Sequence, residues 1–146
     1  MKILNRLARA KYRIIETLEA GIILTGAEIK SLRLGRADLS RSFARIQNGQ
    51  VYLKNLFIPP YHGQVPDLDP RHDRKLLLKK NQIRAYYGRL NKAGMTLVPL
   101  SIYFTRNMAK VELALAASKA KYDHRREIKV REELRSTERD LRKLGV

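Results

Sequence analysis

Residues 21–40 read GIILTGAEIKSLRLGRADLS. A short apolar run, Ile22 to Leu24, has the look of a buried strand and ends at a polar corner. Thr25 and Glu28 stand in the S/T-x-x-E spacing of a capping box. In that motif the hydroxyl accepts from the N3 backbone N–H, and the carboxylate reaches back to the cap N–H. Ile29 and Leu32, continued by Leu34, lay an apolar stripe along the helix that follows, while Lys30, Arg33 and Arg36 project from the other side. Gly35 stands where the residue after a helix takes positive φ. The stretch predicts a strand, a corner, a short helix pinned at both ends and a second turn. Cations on such a helix are often no more than a solvated face. Three of them within residues 30–36 favour a surface that meets phosphate.

Composition sets the partner class. Lys and Arg number 31 against 14 Asp and Glu, for a formal net charge of +17 over 146 residues. A chain of this length makes one domain with a single core. The imbalance is a statement about partners rather than fold, and nucleic acid is the leading polyanion for so basic a small chain. An acidic membrane surface is the rival. No apolar run is long enough to cross a bilayer as a helix, and the start, MKILNRLARAKYR, has no sustained apolar stretch of a secretory signal. The absence of cysteine removes disulfides, thiolate metal sites and cysteine nucleophiles, and is compatible with a reducing cytoplasm. A cytoplasmic location is therefore expected.

Before the opening stretch, residues 1–11 are polar and basic and read as a surface arm. Residues 12–18 (YRIIETL) read as a strand, with Tyr12, Ile14 and Glu16 alternating against Arg13, Ile15 and Thr17. Glu19-Ala20-Gly21 reads as a break before a second strand at 22–24. After it, residues 43–47 and 51–53 flank Asn48-Gly49, the strongest short hairpin signal, with a type I′ turn expected. Residues 55–58 extend the sheet up to Pro59-Pro60, and residues 61–73 (YHGQVPDLDPRHD) read as loop. Helix is expected after Asp73 as N-cap, with Leu76, Leu77, Ile83, Tyr86, Tyr87 and Leu90 on its stripe and Asn81 capping a second segment. Residues 95–104 (MTLVPLSIYF) are strand-like, with Pro99 marking an edge or a bulge. A turn at 105–108 leads to a last strand at 110–116 (KVELALA). About six short strands with inserted helix point to a small antiparallel barrel of the OB type.

Composition changes at Ala117. Residues 117–146 are rich in charge, with Glu127–Arg131 and Glu138–Arg142 as i,i+4 helix-supporting pairs. Their apolar positions, among them Ile128, Val130 and Leu134, are too sparse for a core-facing stripe. The segment is expected to be disordered when free and helical on a partner; the alternative is an exposed helix docked on the barrel.

Catalytic chemistry has little to stand on. His62, His72 and His124 share no metal-ligand spacing, and there is no P-loop, nucleophile elbow or dinucleotide fingerprint. Asp67, Asp69, His72 and Asp73 crowd one loop, but caps and Asx turns beside Pro66 and Pro70 explain them without a metal. No cofactor, no metal and no enzymatic activity are expected. Glu28 has a capping role, and Glu19 stands at the strand corner, placed to order basic neighbours. Aromatics beside cations, Tyr12 within 9–13 and Tyr52 before Lys54, suit stacking on unpaired bases. Phe43, Tyr103 and Phe104 are assigned to the core; Tyr12 and Tyr61 are the exposed candidates.

These residues carry a family signature. NRLARAKYRIIETLEAGIILTGAEIKSLRLGRADLSRSF, then RKLLLKK, GMTLVPLSIYF and KVELALA followed by a basic tail, resemble the SmpB (SsrA-binding protein) family in the same order over nearly the whole chain. The resemblance implies an OB-like barrel that binds the tRNA-like domain of transfer-messenger RNA and delivers the alanine-charged RNA to ribosomes stalled without a usable codon. By position it implies Asn5, Tyr12, Glu19, Lys30, Arg33 and Lys110 as RNA-side residues and Leu77 as an apolar contact. Independently, cations at Lys30, Arg33 and Lys110 suit phosphate. The role of Glu19 rests on the resemblance alone, and its carboxylate suits either base amino groups or a bracing arginine.

The family tail enters the empty mRNA channel beyond the decoding centre of the small subunit and forms a helix there. Its Asp-Lys-Arg signature is Asp123-His124-Arg125 here, and an imidazole of ordinary pKa is mostly neutral near pH 7. Glu133 stands at about the position of a family tryptophan, and Ser118-Lys119-Ala120 replaces the Gly-Lys-Lys approach. Tyr122 and Ile128 then become the apolar anchors, with Asp123, His124, Arg125, Lys129 and Arg131 as the remaining tail contacts.

The expectation is thus a mainly β chain. Residues 1–116 form an OB-fold-like six-stranded antiparallel barrel with short inserted helices, and residues 117–146 a basic tail helical on binding. Its partners are transfer-messenger RNA, the stalled ribosome and, through the charged RNA, elongation factor Tu; it acts as a monomer off the membrane. The rivals are a general OB-fold RNA chaperone or ribosomal protein, a metal-dependent nuclease using Asp67, Asp69 and His72, and an acidic-membrane binder.

Overall fold

The computed structural model describes residues 2–63, 68–92 and 94–119. In chain order it contains β1 (Lys2–Leu4), α1 (Arg6–Lys11), β2 (Tyr12–Ile22), α2 (Gly26–Arg33), β3 (Phe43–Gln47) and β4 (Gln50–Lys54). A single 3₁₀ turn at Tyr61–Gly63 precedes β5 (Arg74–Leu77), α3 (Lys80–Leu90), β6 (Met95–Thr105) and β7 (Met108–Ser118). All pairings are antiparallel. Six strands close a ring in the order β6-β3-β4-β5-β2-β7, with β7 returning to β6, and β1 lies outside the ring along β6. Two tight turns carry the hairpins. Asn48 (φ 52) and Gly49 (φ 73) join β3 to β4, and Arg106 (φ 52) and Asn107 (φ 64) join β6 to β7. Both central residues of each turn are left-handed, the geometry whose twist matches the flanking strands.

The long strand β6 serves three partners because it bends. Its register against β7 shifts between Pro99 and Ser101, so Leu97 and Ile102 both face the ring interior while Val98 and Leu100 face out. A bulge of this kind re-aims side chains and turns a barrel corner. Leu53, Leu56, Leu97, Ile102, Leu113 and Leu115 fill the interior at or near zero exposure. One end is closed by α2 through Leu32, beside Phe104, and the other by α3 through Ile83, Tyr86 and Leu90, beside Met95. A second cluster lies outside, where Ala8 of α1 packs on Val98, Leu100, Ala114 and Ala116.

The capping box, the positive φ of Gly35 (74) and the Asn48-Gly49 hairpin stand as the spacing predicts. Other expectations are corrected. Residues 2–11 are not a loose arm: β1 pairs with β6, and Asn5 caps α1 from a buried position. β2 runs through Glu19-Ala20-Gly21 without a break, because the Leu77 side chain lies across Gly21, where a Cβ would meet it at 3.3 Å. Residues 74–77 form a strand rather than the first turn of a helix; pairing with β4 and β2 overrides a helical stripe of only two leucines. The helix cap is therefore Lys79, not Asp73 or Asn81. Asn55 turns left-handed (φ 62) and ends β4, leaving Phe57 to make an isolated bridge with Asp38. Pro99 marks a bulge in a strand with partners on both sides, not an edge. Leu34 and Tyr87 are exposed, off the stripes assigned to them. The strand count is seven, with six in the ring, and β7 extends to Ser118. The expected tail helix falls outside the described residues from position 120 onward.

Candidate nucleic-acid interface

Strand pairing aligns a row of side chains on the outside of the ring. Leu77 of β5 is opposite Gly21 of β2, Gly21 is opposite Lys110 of β7, Lys110 is opposite Tyr103 of β6, and Tyr103 is opposite Lys2 of β1. Alternation puts these on the face opposite Ile102 and Val111, which are fully buried inside. Leu77 is 47% exposed. One row further, on the same face, Glu19 is opposite Glu112. Like charges in register repel, and two neighbours relieve the pair: the Tyr103 hydroxyl donates to Glu19, and Arg9 stands 3.9 Å from Glu112. Burial, and then the bond to Glu19, push the Tyr103 hydroxyl up to about 12. Of the expected site, Leu77, Lys110 and Glu19 thus share one face.

Lys30 and Arg33 stand on α2, apart from that row, and Arg33 meets the side of β6 opposite Tyr103, where Phe104 packs with the core. The Arg33 guanidinium lies over the Phe104 ring at 4.8 Å, one residue along β6 from Tyr103, and Lys30 lies over Tyr61 at 5.4 Å. Neither these two nor Lys110 makes an ion pair with another described residue. What fixes α2 is a network that sequence reading did not find. Arg74 faces into the ring at 1% exposure. Its Nε donates to Glu28 Oε2 at 2.5 Å, Nη1 donates to Leu56 O at 2.5 Å, and Nη2 donates to Pro70 O at 2.8 Å. His72 Nε2 is 3.1 Å from the same Glu28 oxygen, and the other Glu28 oxygen accepts from Thr25 N–H at 3.0 Å. Ser31 Oγ adds a buried bond to Pro59 O at 2.8 Å. Burial alone would raise the Glu28 pKa; the Thr25 N–H, Arg74 and His72 outweigh it and hold the carboxyl below its ordinary 4.5. Burial pulls Arg74 below its ordinary value against the pull of Glu28.

Asn5 and Tyr12 belong to a different region. Tyr12 pairs with Ser118, nine residues along β2 from the Gly21–Lys110 pair, or roughly 30 Å at about 3.3 Å per residue. Asn5 is 4% exposed, and its amide is committed inside: Nδ2 donates to Leu39 O at 3.0 Å and to Pro99 O at 2.8 Å, while Oδ1 accepts from Ala8 N at 3.2 Å. With Tyr12 it lines a cleft of about 440 Å³ whose rim carries Lys11, Ser40 and Arg41. Asn5 anchors α1, and the rim residues are the ones that reach solvent.

No group of three or more His, Asp or Glu side chains suited to a metal occurs among the described residues. Asp69 accepts from Arg71 N in an Asx turn at 2.8 Å, and Asp73 pairs with Lys54 at 3.1 Å. Asp67 lies outside the described residues, as do Tyr122, Asp123, His124, Arg125, Ile128, Lys129 and Arg131. No helix among the described residues is long and apolar enough to cross a membrane.

A closed antiparallel ring with exposed cations that make no ion pair with another described residue defines a small β-barrel whose basic surface suits a polyanion. Comparison narrows the class: the SmpB protein family model matches residues 2–143. The SsrA-binding protein of Thermus thermophilus is 53% identical over 127 residues, covering 86% of this chain and 88% of its own. That of Mycolicibacterium paratuberculosis is 49% identical over 138 residues, covering 94% and 82%. A solved chain from "tmRNA-SmpB: a journey to the center of the bacterial ribosome" superposes with a TM-score of 0.70 at 52% identity, covering 81% of this chain and 84% of that one. The chain belongs to the SmpB family.

Proposed function

We propose that this chain is an SsrA-binding protein: an OB-like barrel that holds the tRNA-like domain of transfer-messenger RNA and brings it to stalled ribosomes in trans-translation. It is a binding protein rather than an enzyme. The observation that carries the RNA site is the aligned outer row, where Leu77, seated over Gly21, and Lys110 share one face, with Arg33 exposed on Phe104 at the end of β6. The exposed Leu77, seated over the buried Gly21, offers a base or ribose an apolar contact, and the neighbouring cations offer a phosphate their charge. Glu19, held by Tyr103, presents its remaining acceptor capacity to base amino groups. The 117–146 segment, with Tyr122, Asp123, His124, Arg125, Ile128, Lys129 and Arg131, is the part that enters the vacant mRNA channel at the decoding centre, and elongation factor Tu meets the complex through the charged RNA. The chain acts as a monomer in the cytoplasm.

A reconstituted rescue reaction tests both halves. A truncation after Lys119 leaves β7 whole. It should keep its affinity for the tRNA-like RNA and lose peptide tagging on stalled ribosomes. Loss of RNA binding in the truncation would put the tail in the RNA site. Competition by bulk tRNA as effective as by the tRNA-like domain would favour a general RNA chaperone.

A further inference from the structure

The outer row borders a patch of opposite sign. Glu19 and Glu112 are the only two acids that stand opposite each other in the described strand pairings. They do so on a chain with 31 Lys and Arg against 14 Asp and Glu. Relief of the pair is partial. Arg9 comes to 3.9 Å of Glu112, but its side chain is 61% exposed, so water screens that contact. Ser101 is opposite Glu112 on β6 at 1% exposure, and its hydroxyl has no hydrogen-bond partner among the described residues. Tyr103 gives Glu19 a neutral hydroxyl, which bonds the carboxylate without cancelling its charge.

The ladder also shows how Tyr103 reaches that carboxylate. Tyr103 is level with Lys110 and Gly21, whereas Glu19 is level with Glu112. The phenol therefore crosses β7 diagonally, between the Lys110 and Glu112 side chains, to donate to Glu19 Oε2. Its ring is half-buried and has Lys2 Nζ 5.8 Å from its centroid. A carboxylate at an exposed strand position is thus tied to a ring packed into the sheet, and Oε1 is left to solvent or ligand.

Cations bind the backbone of any RNA, because phosphate contacts carry no sequence information. The two carboxylates act in the opposite sense. A phosphate entering the notch between them meets like charge, whereas a base edge that offers N–H groups meets acceptors. Rejection of the wrong group is as much a part of specificity as attraction of the right one.

We propose that Glu112 and Tyr103 set the RNA specificity of this face: Glu112, beside Glu19, keeps phosphate out of the notch, and Tyr103 positions the Glu19 carboxylate, so that the notch admits the N–H edge of an unpaired base. The inference rests on the reading above and deepens it, since it names what lets a strongly basic barrel prefer one folded RNA to others of equal charge density.

The test uses full-length protein, fluorescein-labelled tRNA-like RNA and unlabelled bulk tRNA as competitor, read by anisotropy. Preference is the ratio of the two affinities. Glu112→Gln should lower the preference about threefold, because bulk tRNA gains where one repulsive charge is gone. Tyr103→Phe should weaken the tRNA-like RNA about three- to tenfold, and the same change in a Glu19→Ala background should do nothing further. Equal losses in the two backgrounds would mean that the ring acts by packing alone. An unchanged preference in Glu112→Gln would mean that the acid pair does not choose. Either result overturns the proposal. A native chain without preference for the tRNA-like RNA would sink the rescue reading and this inference with it, and the two failures are told apart by whether the native chain or only the variants show them.

Discussion

Arg74 and the exposed cations carry the same charge in opposite settings. Arg74 lies inside the wall of the ring, with its donors directed at Glu28 and at the carbonyls of Leu56 and Pro70. Lys110 stands outside with no ion pair to another described residue, and Lys30 and Arg33 lean only on aromatic rings. The formal charge of +17 counts them alike. Their consequences separate: the buried cation organises α2 and the loop beneath it, while the exposed ones are available to an anion. A charge total therefore predicts the kind of partner, and only burial and pairing say which cations meet it.

The largest expected effect falls on the buried side. Arg74→Ala takes the guanidinium from a part-buried Glu28 and from two carbonyls, so it should cost about 3–5 kcal/mol of stability, seen as a lower urea midpoint. A variant of unchanged midpoint would break the comparison at its root. Titration comes next. Glu28 has a depressed folded-state pKa, so its contribution is present above its ordinary 4.5 and is lost as pH falls through the lower, folded value. Tyr86 and Tyr103 move the other way, from 10.0 to about 12, and their contribution is lost as pH rises across that interval. Unfolding midpoints followed across both ranges should fall at each end, and Glu28→Gln should flatten the acid limb.

On the exposed side, Leu77→Ala should weaken RNA binding several-fold. Burying the half of the side chain now open to water is worth ~1 kcal/mol, with the melting temperature unmoved. The smallest effect belongs to Arg89→Ala. Its pair with Glu16 has the same 2.5 Å distance as the Arg74–Glu28 pair, but both side chains are 40% exposed. The first cause of the lowered Glu16 pKa is the Arg89 hydrogen bond, followed by that of Tyr86. Water screens such a pair, so the midpoint should stay within the scatter of repeated measurements.

Local chemistry made much of this readable without coordinates. The Thr25–Glu28 box, Gly35 and Asn48-Gly49 are each decided by residues within a few positions of one another, and they stand as read. Long-range partners were not readable. Asn5 looks like part of a polar arm until Leu39 O and Pro99 O, far along the chain, accept from it. Arg74 looks like one more surface cation in RKLLLKK, and nothing local marks it for the interior. Gly21 reads as a strand break because its use, a bed for Leu77, depends on β5 lying alongside. Tyr87 stands one helical turn from the buried Ile83 and fits the stripe by spacing; its 54% exposure depends on where α3 rests on the barrel, which the helical period does not carry. The grouping of Leu77, Lys110 and Glu19 on one face follows from ladder register, which emerges only from the closed ring.

The most direct test of the account is the salt dependence of binding to the tRNA-like RNA, compared between the native chain and the Lys30→Ala, Arg33→Ala, Lys110→Ala triple variant. The account predicts that the log–log slope falls by about 2 to 3, up to 0.9 for each phosphate contact removed, with the urea midpoint unchanged. A slope equal to that of the native chain would mean that these exposed cations do not meet the RNA, and the division between scaffold and interface would be wrong.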